Sequence, residues 1–326
     1  MVHVKYNDEL LRTLKDKVIV LTGGATGIGR ATVKQFHAAG AKVVFGDVAD
    51  TPACELASQL GPSVDYIHCD TTSYQSQLSL FKTAESLYGR VDIVVANAGV
   101  ANHKDIFAPD ADIEIEPSMI EIDVNLKGAL FTARIGLGFL RRNRESGGDK
   151  EDRGGDIILV SSIAGFKECG GLAVYTASKH GVVGLMRGLY LTAREEGVRV
   201  NVVCPWMTKT RLVAGIERGW YALGLPVNLP EDVARSIILC ATANRSHKPT
   251  PDSPQSPQNP QTTHPGAKLP FEGKIVWVAG GESYEIEDAI QALEPQWLGE
   301  ENSRVLAKGQ AYLANGQTSW DAEKGK

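Results

Sequence analysis

The apolar run Lys17 to Leu21 feeds directly into Thr22-Gly23-Gly24-Ala25-Thr26-Gly27-Ile28-Gly29-Arg30. β-Branched residues in a short uninterrupted apolar run favour a buried strand, and clustered glycines permit a tight turn. The residues that follow carry a helix from about Ile28 to Ala39. A strand that turns on glycines into a helix leaves the first amides of that helix exposed, and their partial positive charge attracts phosphate. Such a unit needs a parallel neighbour reached by a right-handed crossover, which restricts the chain to α/β architectures.

The neighbour follows at once. Lys42 to Gly46 is a second strand and ends in Asp47, 18 residues beyond Gly29. An acid at about this distance from the glycine turn is placed to accept hydrogen bonds from the hydroxyls of an adenosine ribose, and its charge repels a 2′-phosphate. Neither arginine nor lysine occurs in Val48-Ala49-Asp50, so the sequence predicts NAD in preference to NADP, with Arg30 the one nearby cation able to reach a phosphate. Val64 to His68 is a third strand, closing at Cys69-Asp70-Thr71. A helix from Tyr74 to Tyr88 places Leu78, Phe81, Ala84 and Leu87 on one stripe. Val91 to Val95 is a fourth strand, ending in Ala96-Asn97-Ala98-Gly99. A long helix is expected over Pro117 to Asn143, with polar Asn125 inside an apolar stretch, where an unsatisfied amide is costly. Further strands at Asp156 to Val160, Val198 to Val203 and Lys274 to Ala279 bring the sheet to about seven. The fold class is therefore a doubly wound parallel sheet with helices on both faces, and ligand is expected at the carboxyl ends of the strands.

The remaining chemistry centres on Tyr175-Thr176-Ala177-Ser178-Lys179. Four residues apart on a helix, the phenol and the ammonium share one face. A fixed cation beside a tyrosine favours phenolate and brings its pKa down from about 10 towards neutrality, where proton transfer to or from an alcohol oxygen is efficient.

Bulk properties narrow the partners. A net charge of −5 with both signs interspersed offers no basic stripe for nucleic acid and no polybasic membrane patch. The five cysteines show neither paired nor zinc-like spacing, which suits a reducing compartment and argues against a metal site. With no long apolar segment and no leader-like start, the expected location is the cytoplasm.

Taken together, Thr22-Gly23-x-x-x-Gly27-x-Gly29, Asn97-Ala98-Gly99, Asn125, Ser162 and Tyr175-x-x-x-Lys179 resemble the short-chain dehydrogenase/reductase family, over about Leu14 to Gly281. Ser162 precedes Tyr175 by 13 residues, the family's usual gap. The resemblance implies Tyr175 as general acid/base, Ser162 as hydrogen-bond donor to the substrate oxygen, Lys179 as tuner of Tyr175 and ligand of the nicotinamide ribose, and Asn125 as holder of a proton-relay water. It implies cofactor contacts from Gly23, Thr26, Gly27, Ile28, Gly29, Asp47, Val48, Asp70, Thr71, Asn97, Ala98, Gly99, Tyr175, Lys179, Pro205, Thr208 and Thr210, with no metal, and pairing into a homodimer or homotetramer through the long helices. The family's Asn-Asn-Ala-Gly reads Ala96-Asn97-Ala98-Gly99 here, and its usual Pro-Gly after the sixth strand reads Pro205-Trp206, where a bulky ring replaces a hinge. That variant and the long tail resemble fungal proteins similar to 15-hydroxyprostaglandin dehydrogenase.

The expected domain spans 14–281. Within it, a lid at 206–229 carries Trp206, Met207, Leu212, Trp220, Tyr221 and Leu225, an apolar supply suited to a bulky, largely apolar small-molecule substrate. The segment 247–270, rich in proline, serine and glutamine, is expected as a surface insertion, and 282–326 as a tail without motif. The function expected is hydride transfer between NAD(H) and a secondary alcohol or ketone, in secondary metabolism. The alternatives are an NADPH-dependent biosynthetic ketoreductase, a non-catalytic nucleotide-binding regulator, and a non-redox cyclase or isomerase.

Overall fold

The computed structural model of the chain describes residues 1–102, 104–145, 154–243 and 263–314. The strands are β1 (Val2–His3), β2 (Val18–Thr22), β3 (Lys42–Asp47), β4 (Val64–His68), β5 (Ile93–Ala96), β6 (Gly155–Val160), β7 (Val198–Pro205), β8 (Ile275–Ala279) and β9 (Glu282–Glu285). They form one sheet in the order β1-β9-β8-β7-β6-β5-β2-β3-β4. From β4 to β8 every pairing is parallel, while β9 and then β1 add antiparallel at one edge. β2 pairs with both β3 and β5, so the order reverses there and opens the crevice at the carboxyl ends where α/β sheets hold ligands.

Helices cover both faces: α1 (Gly27–Ala38), α2 (Asp50–Leu60), α3 (Tyr74–Tyr88), α4 (Ala129–Glu145), α5 (Ala173–Glu195), α6 (Glu217–Ala222), α7 (Pro230–Thr242), α8 (Glu287–Ala292), α9 (Glu294–Leu298) and α10 (Glu300–Ala314). Because each crossover must return to a parallel neighbour, the helices sort by side. Val33, Phe36, Leu56 and Ile237 bring α1, α2 and α7 onto one face, and Phe81, Leu140, Val183 and Met186 bring α3, α4 and α5 onto the other. Central strands read as continuous apolar runs because they are buried on both sides.

Among the described residues nine strands stand where about seven are expected. The two extra ones are four residues long or shorter, and Glu282-Ser283-Tyr284-Glu285 is too polar to announce a strand. The sheet thus continues past 281: β9 pairs with β8, and α8 is tied to α5 by a two-pronged Arg187–Glu287 ion pair at 2.8 and 2.9 Å. The buried face of α3 is Gln77, Leu80, Phe81 and Ala84, with Leu87 turned outward. The stripe rotates because the Gln77 amide is itself in the core, donating to the carbonyls of Thr71 and Gly128 and accepting from Thr132 Oγ1. The long helix begins at Ile120 rather than Pro117 and opens with a π-helical turn, Ile122–Gly128, before α4. Residues 146–153 after this helix, 247–262 of the expected insertion and 315–326 of the tail lie outside the described residues. The insertion's far end is firmly placed: His264 is fully buried, bonded to the backbone of Asn7 and the hydroxyl of Thr242.

Candidate active site

The glycine turn follows from sterics. Gly23 adopts φ +74°, and a Cβ on Gly29 would lie 1.8 Å from the Gly23 carbonyl oxygen, so only glycine lets α1 start this close to the end of β2. Asn97, at the end of β5, ties the turn down: its Nδ2 donates to the carbonyls of Thr22 and Gly23 at 3.1 and 2.8 Å. The Thr26 side chain makes no capping bond, so the first amides of α1 are left to the cleft.

That cleft, of about 670 Å³, runs across the carboxyl ends of β2 to β6. It is walled by the glycine turn from Gly23 to Gly29, by Asp47 and Val48 after β3, by Asp70 and Thr71 after β4, and by Asn97, Ala98 and Gly99 after β5. Tyr175 and Lys179 of α5 close its inner end, and Thr210 lies over it. Asp47 is held rigidly, with Oδ2 accepting from Ala25 N and Oδ1 from Ala49 N, both at 2.9 Å. Asp70 is turned back on its own loop by two bonds from Thr72. A dinucleotide fits what is present: uncapped helix amides, a close-approach glycine and a fixed carboxylate at the ribose distance.

Four expected residues stand off this wall. Pro205 ends β7 within the sheet. Thr208 is buried and donates to the Trp206 carbonyl. Asn125 is also buried, its Oδ1 accepting from Val100 N at 2.8 Å and its Nδ2 donating to Val100 O and to Ser178 Oγ. With the amide fully engaged, Asn125 clamps the loop after β5 to α5. Ser162 caps a short 3-10 turn (Ile163–Gly165) and hydrogen-bonds towards the Tyr175 phenol.

The electrostatics of Tyr175 differ from the expectation. Burial pushes the phenol up to about 12, and only the Ser162 bond opposes it, while Cys169, Glu121 and Cys204 add to the rise. Burial pushes the Lys179 ammonium down to about 8. Its Nζ donates to the Val160 carbonyl at 3.2 Å and stands 5.7 Å from the Tyr175 ring centroid, so desolvation outweighs the cation at this range. A tyrosine in this state is protonated at neutral pH and ionises only in alkaline solution.

The segment 206–229 is anchored at its carboxyl end. Asn228, fully buried, exchanges backbone bonds with Met207 and Lys209, donates from Nδ2 to Val278 O and accepts from Gly281 N. Trp206 packs edge-on against Trp220 at 5.2 Å and lies 6.0 Å from Trp277. A Cβ on Gly27 would meet Thr210 Cγ2 at 3.3 Å, so this segment passes directly over the glycine turn. Sequence reasoning passed over Ser161, Val160, Val100, Lys209 and Arg211, which also line the cleft. Each lies within three residues of a recognised motif, and that adjacency was the signal.

Residues 17–219 match the short chain dehydrogenase family. The chain belongs to that family. Among curated relatives, a short-chain dehydrogenase/reductase, ascJ, of Acremonium egyptiacum is 39% identical over 72% of this chain and 76% of its own length. The 5'-hydroxyaverantin dehydrogenase of Dothistroma septosporum is 34% identical over 73% and 84%, and (+)-borneol dehydrogenase 1 of Salvia officinalis is 35% identical over 64% and 75%. Among solved structures, a 3-ketoacyl-(acyl-carrier-protein) reductase from Brucella melitensis complexed with NADH matches with TM-score 0.62 at 25% identity, covering 70% of this chain and 91% of that one. The protein is thus a short-chain dehydrogenase/reductase, an oxidoreductase of CH–OH and carbonyl groups that uses a nicotinamide cofactor. Among the described residues no group of His, Cys, Asp and Glu is placed to hold a metal ion, and no helix is long and apolar enough to cross a membrane.

Proposed function

We propose that this short-chain dehydrogenase interconverts a secondary alcohol and a ketone on a bulky, largely apolar small molecule of secondary metabolism, with NAD(H) as cofactor. The observation that carries the cofactor choice is Asp47, a carboxylate locked by two backbone bonds at the cleft wall, where it accepts from ribose hydroxyls and repels a 2′-phosphate. Arg30, on the same wall, is the feature that favours the rival NADPH-dependent ketoreductase. The apolar lid residues, together with relatives named for hydroxyaverantin and borneol, support the substrate class.

When bound, the nicotinamide supplies or accepts the hydride. The chain's own residues do the rest. Ser162 holds the substrate oxygen beside the phenol, and Tyr175 gives its proton to that oxygen in reduction or takes one from it in oxidation. Lys179 holds the nicotinamide ribose, Asn125 fixes the α5 register that puts Tyr175 in place, and the lid excludes water. We place the enzyme in the cytoplasm as a homodimer or homotetramer, as the family resemblance implies.

The test is fluorescence titration with NADH and NADPH, followed by turnover of bulky secondary alcohols with NAD. Tighter NADH binding is expected; tighter NADPH binding would favour the ketoreductase, and binding of neither would refute the cofactor site.

A further inference from the structure

Two residues on the segment that passes over the glycine turn, Lys209 and Arg211, carry charged side chains that none of the contacts described above uses. They flank Thr210, whose methyl stands 3.3 Å from where a Cβ on Gly27 would lie, and all three residues line the cofactor cleft. Both cations are exposed, and neither side chain has a hydrogen-bond or ion-pair partner among the described residues. Their backbone is nevertheless fixed. The Lys209 N–H donates to the Asn228 carbonyl at 2.9 Å, and Arg211 opens a short 3-10 turn, Arg211–Val213.

Beneath them α1 begins at Gly27 with no side-chain cap, so the amides of its first turn offer partial positive charge to the cleft. The other charged residues on the cleft wall are Arg30, Lys179, Asp47 and Asp70, whose formal charges cancel at neutral pH. Arg30 and Lys179 are moreover engaged by the Pro52 and Val160 carbonyls at 3.5 and 3.2 Å. The cleft's surplus of positive charge therefore comes from Lys209 and Arg211, in a chain whose net charge is −5. A dinucleotide brings the matching anion, because its pyrophosphate carries a negative charge on each phosphate and is the part that a glycine turn receives. Charge-assisted bonds from a cation to a phosphate oxygen are among the stronger polar contacts, and a cleft of one sign also draws its counter-ion in.

We propose that Lys209 and Arg211 form the upper half of a pyrophosphate clamp whose lower half is the start of α1. A bound dinucleotide then ties the segment 206–229, with the apolar residues it carries for substrate, to the glycine turn. The inference rests on the dinucleotide reading of the cleft and is independent of the choice between NAD and NADP, since both carry the same pyrophosphate.

Lys209→Met and Arg211→Met remove the charges and keep an unbranched apolar stem. NADH and NADPH binding is followed by nicotinamide fluorescence. Calorimetry measures ADP-ribose, which keeps the pyrophosphate, and adenosine, which lacks it. Each single variant should bind NADH, NADPH and ADP-ribose about five- to tenfold more weakly, and the double variant about fiftyfold, while adenosine binding stays within about twofold of the parent. Added salt should weaken ADP-ribose binding more steeply in the parent than in the double variant. Unchanged ADP-ribose affinity in the double variant overturns the proposal. An equal loss for adenosine also overturns it, since the two residues would then only support the segment, and so does a parent that binds ADP-ribose no tighter than adenosine. Tighter binding of NADPH than of NADH, with the same loss in the variants, supports the clamp and counts against the choice of NAD instead.

Discussion

Lowering the pH should loosen the seam between the amino-terminal segment and α7 through one residue, His264. The imidazole is fully buried between Asn7 and Thr242 and stacks on Tyr6 with ring centroids 5.3 Å apart. Its Nδ1 accepts the Asn7 backbone N–H at 2.9 Å and so cannot carry a proton. The Thr242 hydroxyl is already given to the Ile238 carbonyl, so Nε2 donates to Thr242 Oγ1 at 2.8 Å. Both nitrogens are committed to the neutral ring, and burial pushes the pKa down to about 4. Above about pH 6.5 the ring is neutral folded or unfolded, and the seam contributes fully. Between about 6.5 and 4 the unfolded chain binds a proton that the folded chain refuses, so stability falls as pH falls, and below about 4 the loss is complete. About 2.5 pH units at about 1.36 kcal/mol each amount to roughly 3 kcal/mol. That is a large part of a typical folding free energy of about 5–15 kcal/mol. Urea unfolding at pH 7.5 and pH 4.5, run on the parent and on His264→Gln, isolates this term from the carboxylates that also titrate. The stability advantage of the parent over the variant should shrink by about 2.5 kcal/mol between the two pH values, since pH 4.5 stops short of the folded pKa. Parallel pH dependence in both proteins would refute the reasoning.

Three further outcomes are expected. Tyr175→Phe removes the transferable proton and little else, so turnover should drop by about 10²–10⁴-fold while NADH fluorescence titration stays near the parent value; activity above a few per cent of the parent would refute the assignment. Asp47→Ala should narrow or invert the NAD preference by about tenfold, measured as the ratio of kcat/KM with the two cofactors, because it removes both the ribose acceptor and the charge that repels a 2′-phosphate. Asn228→Ala leaves the Gly281 N–H without its partner at the base of segment 206–229 and takes one of two donors from the Val278 carbonyl, which keeps the Trp206 N–H. It should lower stability by about 2 kcal/mol and speed proteolysis within 206–229, and an unchanged cleavage rate would show that Asn228 does not anchor this segment.

What was legible in the residues, and what was not, divides along a physical line. Local rules announce the glycine turn, the β-branched strands and the Tyr175–Lys179 spacing, because each depends on backbone sterics or periodicity within about a dozen residues. The seven parallel strands were readable for that reason, while β1 and β9 were not, since both exist only through pairing at the sheet edge. The π turn at Ile122–Gly128 was hidden too, because it is held by Gln77 from α3 and Val100 from the loop after β5. Asn125 is legible as a polar group that needs satisfaction, but its partners come from two other segments, and they make its side chain a clamp.

The tyrosine's electrostatics show the division most sharply. The spacing places a cation one turn from the phenol and suggests a lowered pKa, yet spacing says nothing about enclosure. In the folded chain the same burial that lowers Lys179 to about 8 raises Tyr175 to about 12, and Glu121, 54 residues earlier in the chain, adds its charge in the same upward direction. Spacing therefore names the pair, whereas the pH at which each group ionises is set by what the fold packs around it.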